Sequence, residues 1–224
     1  MFEGVHFVAC RYVPGKDRLE LAWQGEGGAL GSLHNLQAWL GSRAPHVLFA
    51  MNAGMFDPEQ RPLGLFVQGG HTVGPVNRSR GGGNFFLLPN GVFWLGQDGK
   101  AHIEETARFA AAGRAAEWAT QSGPLLVRAG QLHPLVAENG DSRLIRNGVG
   151  VRSGEAIFAI SEQPVSFGRF ARFVRDDLGC PDVLYLDGVV SSLWAPAMGR
   201  QDDRTGLGPF VVVLDRSTPA SAQH

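Results

Sequence analysis

Two cysteines in 224 residues, Cys10 and Cys180, are too few for a disulfide framework, and with no Cys-x-x-Cys spacing they build no zinc ribbon. Buried thiols are the default expectation, with one disulfide between them left open. The seven histidines form neither a His-Glu-x-x-His pattern nor a tight cluster, so no metal centre is expected, although a divalent cation is not ruled out. No apolar run approaches the ~18 residues of a membrane span. A formal net charge of -1 leaves no broad basic surface for nucleic acid. Gly-x-Ser-x-Gly is absent, which argues against a serine hydrolase of the nucleophile-elbow type. "SRGGGNFF" lacks the Walker pattern and its lysine.

What is abundant is glycine, 31 residues, alongside 44% hydrophobic and 18% charged residues, a balance that excludes a disordered chain. Many glycines stand at hairpin positions, such as Gly69-Gly70, Asn90-Gly91, Asp98-Gly99 and Ser153-Gly154. This punctuation predicts an α+β fold: one sheet-rich domain over 1–216, with a mixed sheet, several hairpins and two or three helices packed on it. A disordered tail is expected over 217–224.

Strands are expected near 5–13, 18–23, 46–51, 64–68, 84–88, 92–96, 145–151, 155–161 and 182–187, and in the closing "GPFVVVLD". "TQSGPLLVRAGQLHP" reads as a strand followed by a hairpin tip. Leu33, Leu36 and Leu40 fall on one helical face, with Ser32 as the cap. A helix is also expected within 104–118, despite Gly113. Phe167, Phe170, Ala171, Val174 and Leu178 predict another, stopped at Gly179. Strand, helix and strand over 155–187 then imply a right-handed parallel crossover.

Four stretches join an apolar segment to small residues and one or two polar side chains. They are "FAMNAGMF" with Asn52, "ATQSGPLL" with Gln121 and Ser122, "LIRNGVGV" with Arg146 and Asn147, and "LYLDGVVSS" with Asp187 and Ser191. Each alone reads more readily as a turn than as a site, and Asp187-Gly188 is a common turn pair. Together they interrupt apolar strands with groups that are costly to bury unpartnered, which suggests one shared pocket.

As an ordered set these motifs resemble the phosphodiester glycosidase family, in particular its short bacterial branch. The resemblance runs from roughly residue 46 to residue 214. The family's Asn-Gly-Gly-Phe-Phe stands here as Asn52-Ala53-Gly54-Met55-Phe56, and Ser-Gly-Pro as Ser122-Gly123-Pro124. Arg-Thr-Ala-Ile-Gly becomes Arg146-Asn147-Gly148-Val149-Gly150. Asp-Gly-Gly-Gly-Ser-Ser becomes Asp187-Gly188-Val189-Val190-Ser191-Ser192, losing two glycines. Where the family carries a further Asp-Gly-Arg, this chain has Ser161-Glu162.

The resemblance implies a hydrolase that cleaves a sugar's anomeric carbon from a phosphodiester on a cell-envelope or exported glycan. An extracytoplasmic location is likewise implied only by resemblance; the N-terminus reads without a leader, as in a cytoplasmic chain or a trimmed exported one. On this reading Arg146 holds the phosphate. Asp187 faces the ring as stabiliser, nucleophile or base, and Glu162 is the second carboxylate, against the alternative of a solvated strand-end charge. Asn52, Gly54, Asn84, Gln121, Ser122, Gly123, Asn147, Gly188 and Ser191 form the substrate-binding wall. Arg143 reads as a surface residue, and Asp202 with Asp203 as a solvated charge pair. A sugar-phosphate binding module and a phosphodiesterase attacking phosphorus are the competing classes. Oligomeric state has no signal in the sequence.

Overall fold

A computed structural model describes residues 1–217; the rest of the expected tail lies outside the described residues. Three sheets enclose a common core. The first runs in the order Phe7–Tyr12, Glu155–Ser161, Asn147–Arg152, Asp182–Asp187, Leu125–Arg128, Gln131–Leu132. The second is Ala101–Glu105, Gly91–Leu95, Trp118–Ser122, Phe66–Gln68, His71–Gly74, and the third Arg200–Gln201, Leu193–Ala195, Val47–Asn52, Phe210–Asp215, Asp17–Ala22. Phe49 and Met51 from the third sheet, Phe66 and Phe93 from the second, and Phe158, Leu184 and Leu186 from the first meet in that core. Among the described residues no helix is long and apolar enough to cross a membrane.

Each sheet carries one α-helix on its outer face. The helix Leu33–Leu40 starts as its sequence predicts: the Ser32 hydroxyl accepts from the Asn35 amide at 3.1 Å, and Leu33, Leu36 and Leu40 pack on Ala50, Val212 and Leu214. Phe109, from the short helix Thr106–Ala111, covers Val92 and Trp94 of the second sheet. The helix Phe167–Arg172, continued by a π turn over Phe173–Asp177, lies on the first sheet. It sits close because Gly148 and Gly150 face it: a Cβ at Gly148 would stand 2.9 Å from the Phe170 ring, and one at Gly150 2.6 Å from Val174.

Several expectations change. Strands 155–161 and 182–187 do run parallel, but Asn147–Arg152 lies between them and pairs antiparallel with both. The mixed sheet expected from the crossover is therefore antiparallel at each of its ladders. Segment 84–88 is a 3-10 turn, Asn84–Phe86, because buried Phe85 anchors it and the Asn90 amide donates to the Phe85 carbonyl at 3.0 Å. The helix expected over 104–118 shrinks to six residues, since Ala101–Glu105 pairs with Gly91–Leu95 as an edge strand. "TQSGPLL" is two strands in two different sheets, broken at Gly123-Pro124. Both cysteines are free thiols, and burial pushes each up to about 11.

Candidate functional site at the seam of the sheets

The strand Asp182–Asp187 is buried on both faces. Val183 and Tyr185 turn towards the helix layer, Leu184 and Leu186 towards the common core. At its C-terminal end the chain crosses from the first sheet to the third through Gly188 to Ser192, and polar side chains gather there. The Asp187 carboxylate accepts through Oδ1 from the amides of Val189 at 2.6 Å and Val190 at 3.0 Å. The turn reading of Asp-Gly is thus correct, and the carboxylate that closes the turn is also one of the polar groups at the seam.

Asp187 is 7% exposed, and burial raises its pKa; the amides of Val190, Val189 and Gly188 and the charge of Arg204 oppose that rise without cancelling it. The adjoining Gly188 is dictated by close approach. A Cβ there would collide with the Tyr185 hydroxyl and stand 3.3 Å from Arg146 Nη1. Gly188→Ala should therefore lower stability by about 1–3 kcal/mol, read as a lower denaturant midpoint at unchanged slope.

Asn147 opposes Asp187 across the ladder, where the register shifts between Asn147 and Gly148. Its amide nitrogen donates to the Asn52 carbonyl at 2.8 Å and to Asn52 Oδ1 at 3.2 Å, joining the first sheet to the third. Asn52 Oδ1 also accepts from the Ser192 amide at 2.9 Å. The Ser191 hydroxyl lies within reach of three acceptors: the Ile145 carbonyl at 2.9 Å, Asn147 Oδ1 and the Asp187 carbonyl, both at 3.2 Å. One donor in this network is left over. Asn52 Nδ2 is buried and has no hydrogen-bond partner, a state that structures seldom tolerate away from a ligand or a water.

Arg146 is brought to the same place, but its fork is not turned to solvent. The side chain is fully buried. Nε donates to the Val165 carbonyl at 2.9 Å, Nη1 to the Tyr185 hydroxyl at 3.1 Å, and Nη2 to the carbonyl and hydroxyl of Ser142, each at 3.0 Å. The guanidinium lies 3.7 Å over the Phe167 ring and 5.5 Å from that of Tyr185. Burial lowers the Arg146 pKa and raises that of Tyr185 far above the usual phenol range. Arg146 therefore braces the floor under Gly188 instead of presenting a free fork to a phosphate, a correction that follows from its complete burial and from four of its five N–H groups being spent on Val165, Tyr185 and Ser142.

Glu162 is corrected as well. It follows Ser161 two strands away from Asp187, about 10 Å at the usual strand spacing, and is exposed. Arg200 Nη1 holds it at 2.5 Å. The same guanidinium grips Asp202 through Nε at 3.0 Å and Nη2 at 2.9 Å, and Asp202 also accepts from the Leu193 amide at 2.9 Å. Asp202 is thus a structural bridge and not a solvated charge, while Asp203 is exposed.

Gln121 serves the neighbouring loop. Its Oε1 accepts from the Leu65 and Asn77 amides at 3.0 and 2.9 Å, and its Nε2 donates to the Asn77 carbonyl at 2.8 Å. Ser122 is buried and makes only a long 3.4 Å contact to the Leu186 carbonyl. Gly123 is pressed against Asn90 and Phe85, with the Asn84 carbonyl 3.4 Å from where its Cβ would be. Gly54 has φ of 80° and faces Thr120, so a side chain there would be strained and obstructed.

A hollow of about 330 Å3 opens beside the network, lined by Ile145, Ser161, Glu162, Ser191, Arg200, Gln201, Asp202, Asp203 and Arg204. Hollows of about 400 Å3 beside Trp94 and 460 Å3 beside Tyr12 share no residue with it, so volume alone does not select the site. The network singles this one out as the candidate: it holds a desolvated carboxylate and an unpartnered donor, and its Ser191 reaches the wall of the hollow, while Asp187, Asn52 and Asn147 lie behind that wall. Sequence reasoning missed Tyr185, Ser142 and Val165, which receive Arg146, and Arg200 and Arg204, which line the hollow. Tyr185 sat inside an apolar run, and the arginines stood in a polar loop with no pattern of their own.

Comparison with known proteins bears on the fold and the family. The chain is 37% identical over 183 residues to the uncharacterized protein YigE of Escherichia coli K12, spanning 81% of this chain and 71% of the relative. Its fold is similar to the catalytic domain of zebrafish N-acetylglucosamine-1-phosphodiester alpha-N-acetylglucosaminidase, solved auto-inhibited by its pro-peptide, with a TM-score of 0.62 at 15% identity, over 94% of this chain and 83% of that one. A hypothetical protein from Synechocystis is similar with a TM-score of 0.55 at 17% identity, over 96% of this chain and 61% of that chain. The phosphodiester glycosidase family pattern matches residues 45–208, which include every strand end that forms the network, and the chain belongs to that family.

Proposed function

We propose that the protein hydrolyses the bond between the anomeric carbon of a sugar and a phosphodiester, with a cell-envelope or exported glycan phosphate as the substrate class. The observation that carries this reading is Asp187: a carboxylate at a strand end, fixed by two backbone amides, with burial raising its proton affinity. Cleavage at the anomeric carbon develops positive charge on the ring, which a nearby carboxylate stabilises. The departing phosphate monoester has a last pKa of ~6 and leaves as a stable anion, so the reaction does not require a strong general acid.

In the step we propose, the bond from the anomeric carbon to the phosphate oxygen breaks and its electron pair stays with phosphate. The oxygen of a water bonds to the anomeric carbon, and the proton it loses passes to Asp187 and then to solvent. A carboxylate with raised proton affinity suits that role. Asn52 Nδ2, which has no partner in the protein, supplies a hydrogen bond to a sugar hydroxyl or phosphate oxygen.

Hydrolysis of a GlcNAc 1-phosphodiester in oxygen-18 water tests the reading. Label is expected in the released sugar. Label in the phosphate would replace the glycosidase with a phosphodiesterase, and an intact, bound ligand would replace it with a binding module.

A further inference from the structure

A reaction that expels a phosphate needs a cation where the negative charge collects; two guanidiniums, Arg200 and Arg204, line the hollow, and a third, Arg146, lies beside Gly188. Arg146 is fully buried with its donors on Val165, Ser142 and Tyr185. Arg200 is neutralised by two carboxylates, Glu162 and Asp202. Arg204 is different: it is exposed on the wall of the hollow, and among the described residues no carboxylate lies within 4.0 Å of it. Its one hydrogen bond is a long one, 3.4 Å from Nη1 to the Val189 carbonyl. Val189 is also the residue whose amide Asp187 holds, so one turn is in contact with both side chains.

We propose that Arg204 is the residue that binds the leaving phosphate, with Arg146 confined to positioning the floor beneath Gly188. This rests on the glycosidase reading and names the phosphate subsite within it. The chemistry fits a uncommitted guanidinium, whose planar fork matches phosphate oxygens and which gives up only one weak bond to meet them. The wall also limits the charge that is welcome. Glu162, Asp202 and Asp203 face only Arg200 and Arg204 there. A phosphodiester, with one negative charge, is accommodated at Arg204, whereas the monoester product, carrying about -1.5 to -2 at neutral pH, is repelled by the acidic side of the hollow. Product release is favoured by the same arrangement.

The test compares wild type, Arg204→Ala and Arg204→Lys on a GlcNAc 1-phosphodiester and on the 4-nitrophenyl glycoside of the same sugar, whose leaving group carries no phosphate. Arg204→Ala should lower kcat/KM for the phosphodiester by on the order of 100-fold, equivalent to losing one or two charge-assisted hydrogen bonds. The aryl glycoside rate and the melting temperature should hardly move, and Lys should restore part of the loss. A phosphodiester rate unchanged in Arg204→Ala, or equal losses on both substrates, overturns the proposal.

Binding of the GlcNAc 1-phosphodiester to the inactive Asp187→Asn, with and without Arg204→Ala, keeps the two claims apart. Arg204-dependent binding, alongside a wild type that cleaves nothing, would sink the hydrolase reading and uphold the phosphate subsite. Cleavage at an Arg204-independent rate would uphold the hydrolase and sink the subsite. Neither cleavage nor Arg204-dependent binding would overturn both.

Discussion

Asp187→Asn should reduce turnover of a sugar 1-phosphodiester by about 1000-fold, the upper range of what a positioned base contributes, while leaving the protein folded. The amide keeps an oxygen in place to accept from Val189 and Val190, so the turn survives the change. Its thermal stability should even rise, and the pH dependence separates this from a neutral substitution. Burial raises the folded-state pKa of Asp187, so the folded protein holds this proton more tightly than the unfolded chain does. The wild-type carboxyl is therefore harmless to the fold below its unfolded value of ~3.9, and its stability contribution is lost as pH rises through the higher folded value. The melting temperature of Asp187→Asn relative to wild type should climb across that window and then level off. The wild-type rate should fall in the opposite sense, on an acid limb centred above the ordinary carboxylate range. Full activity in the variant, or a limb at the ordinary carboxylate value, would remove Asp187 from the reaction.

The second large effect is structural. Arg146→Ala should cost on the order of 4 kcal/mol, from a side-chain-sized void between two aromatic rings and from unpaired acceptors at Val165, Ser142 and Tyr185. In a chain of this size that is on the order of 10 °C in melting temperature. Any activity lost should be lost equally for phosphate and neutral leaving groups, since the guanidinium acts through the floor. A well-folded Arg146→Ala with a defect confined to phosphate-bearing substrates would restore Arg146 as the phosphate ligand and reject its bracing role.

These two residues also mark what could be read without coordinates. The strand carrying Asp187 was legible because an unbroken apolar run has few other uses, and the helix Leu33–Leu40 because spacing and a serine cap coincide. Three of the four polar interruptions meet as their need for partners predicts, with Asn147 on Asn52 and Ser191 on Asn147 and the Asp187 backbone carbonyl, while Gln121 of the fourth is held by Leu65 and Asn77 instead. Direction was not legible. Motif order cannot say whether the Arg146 guanidinium points into the hollow or away from it; that depends on Phe167 and Tyr185, which close over it from 21 and 39 residues later in the chain. Nor could spacing reveal that Glu162 has a strand between it and Asp187, because the order of strands is set by tertiary pairing. The parallel crossover was read correctly as a direction and wrongly as an adjacency for the same reason.

The bond from Asn147 to Asn52 holds two sheets edge to edge and, on the proposed reading, does so where the ligand is gripped. Floor residues consequently answer to two demands at once, and a change there that altered recognition would also loosen the scaffold. Change is better tolerated at the lip: the side chains of Val189, 76% exposed, and of Asp203 and Arg204 take no part in the bonds that stitch the seam. Relatives that differ in the aglycone they accept should differ at those three positions well before they differ at the asparagines.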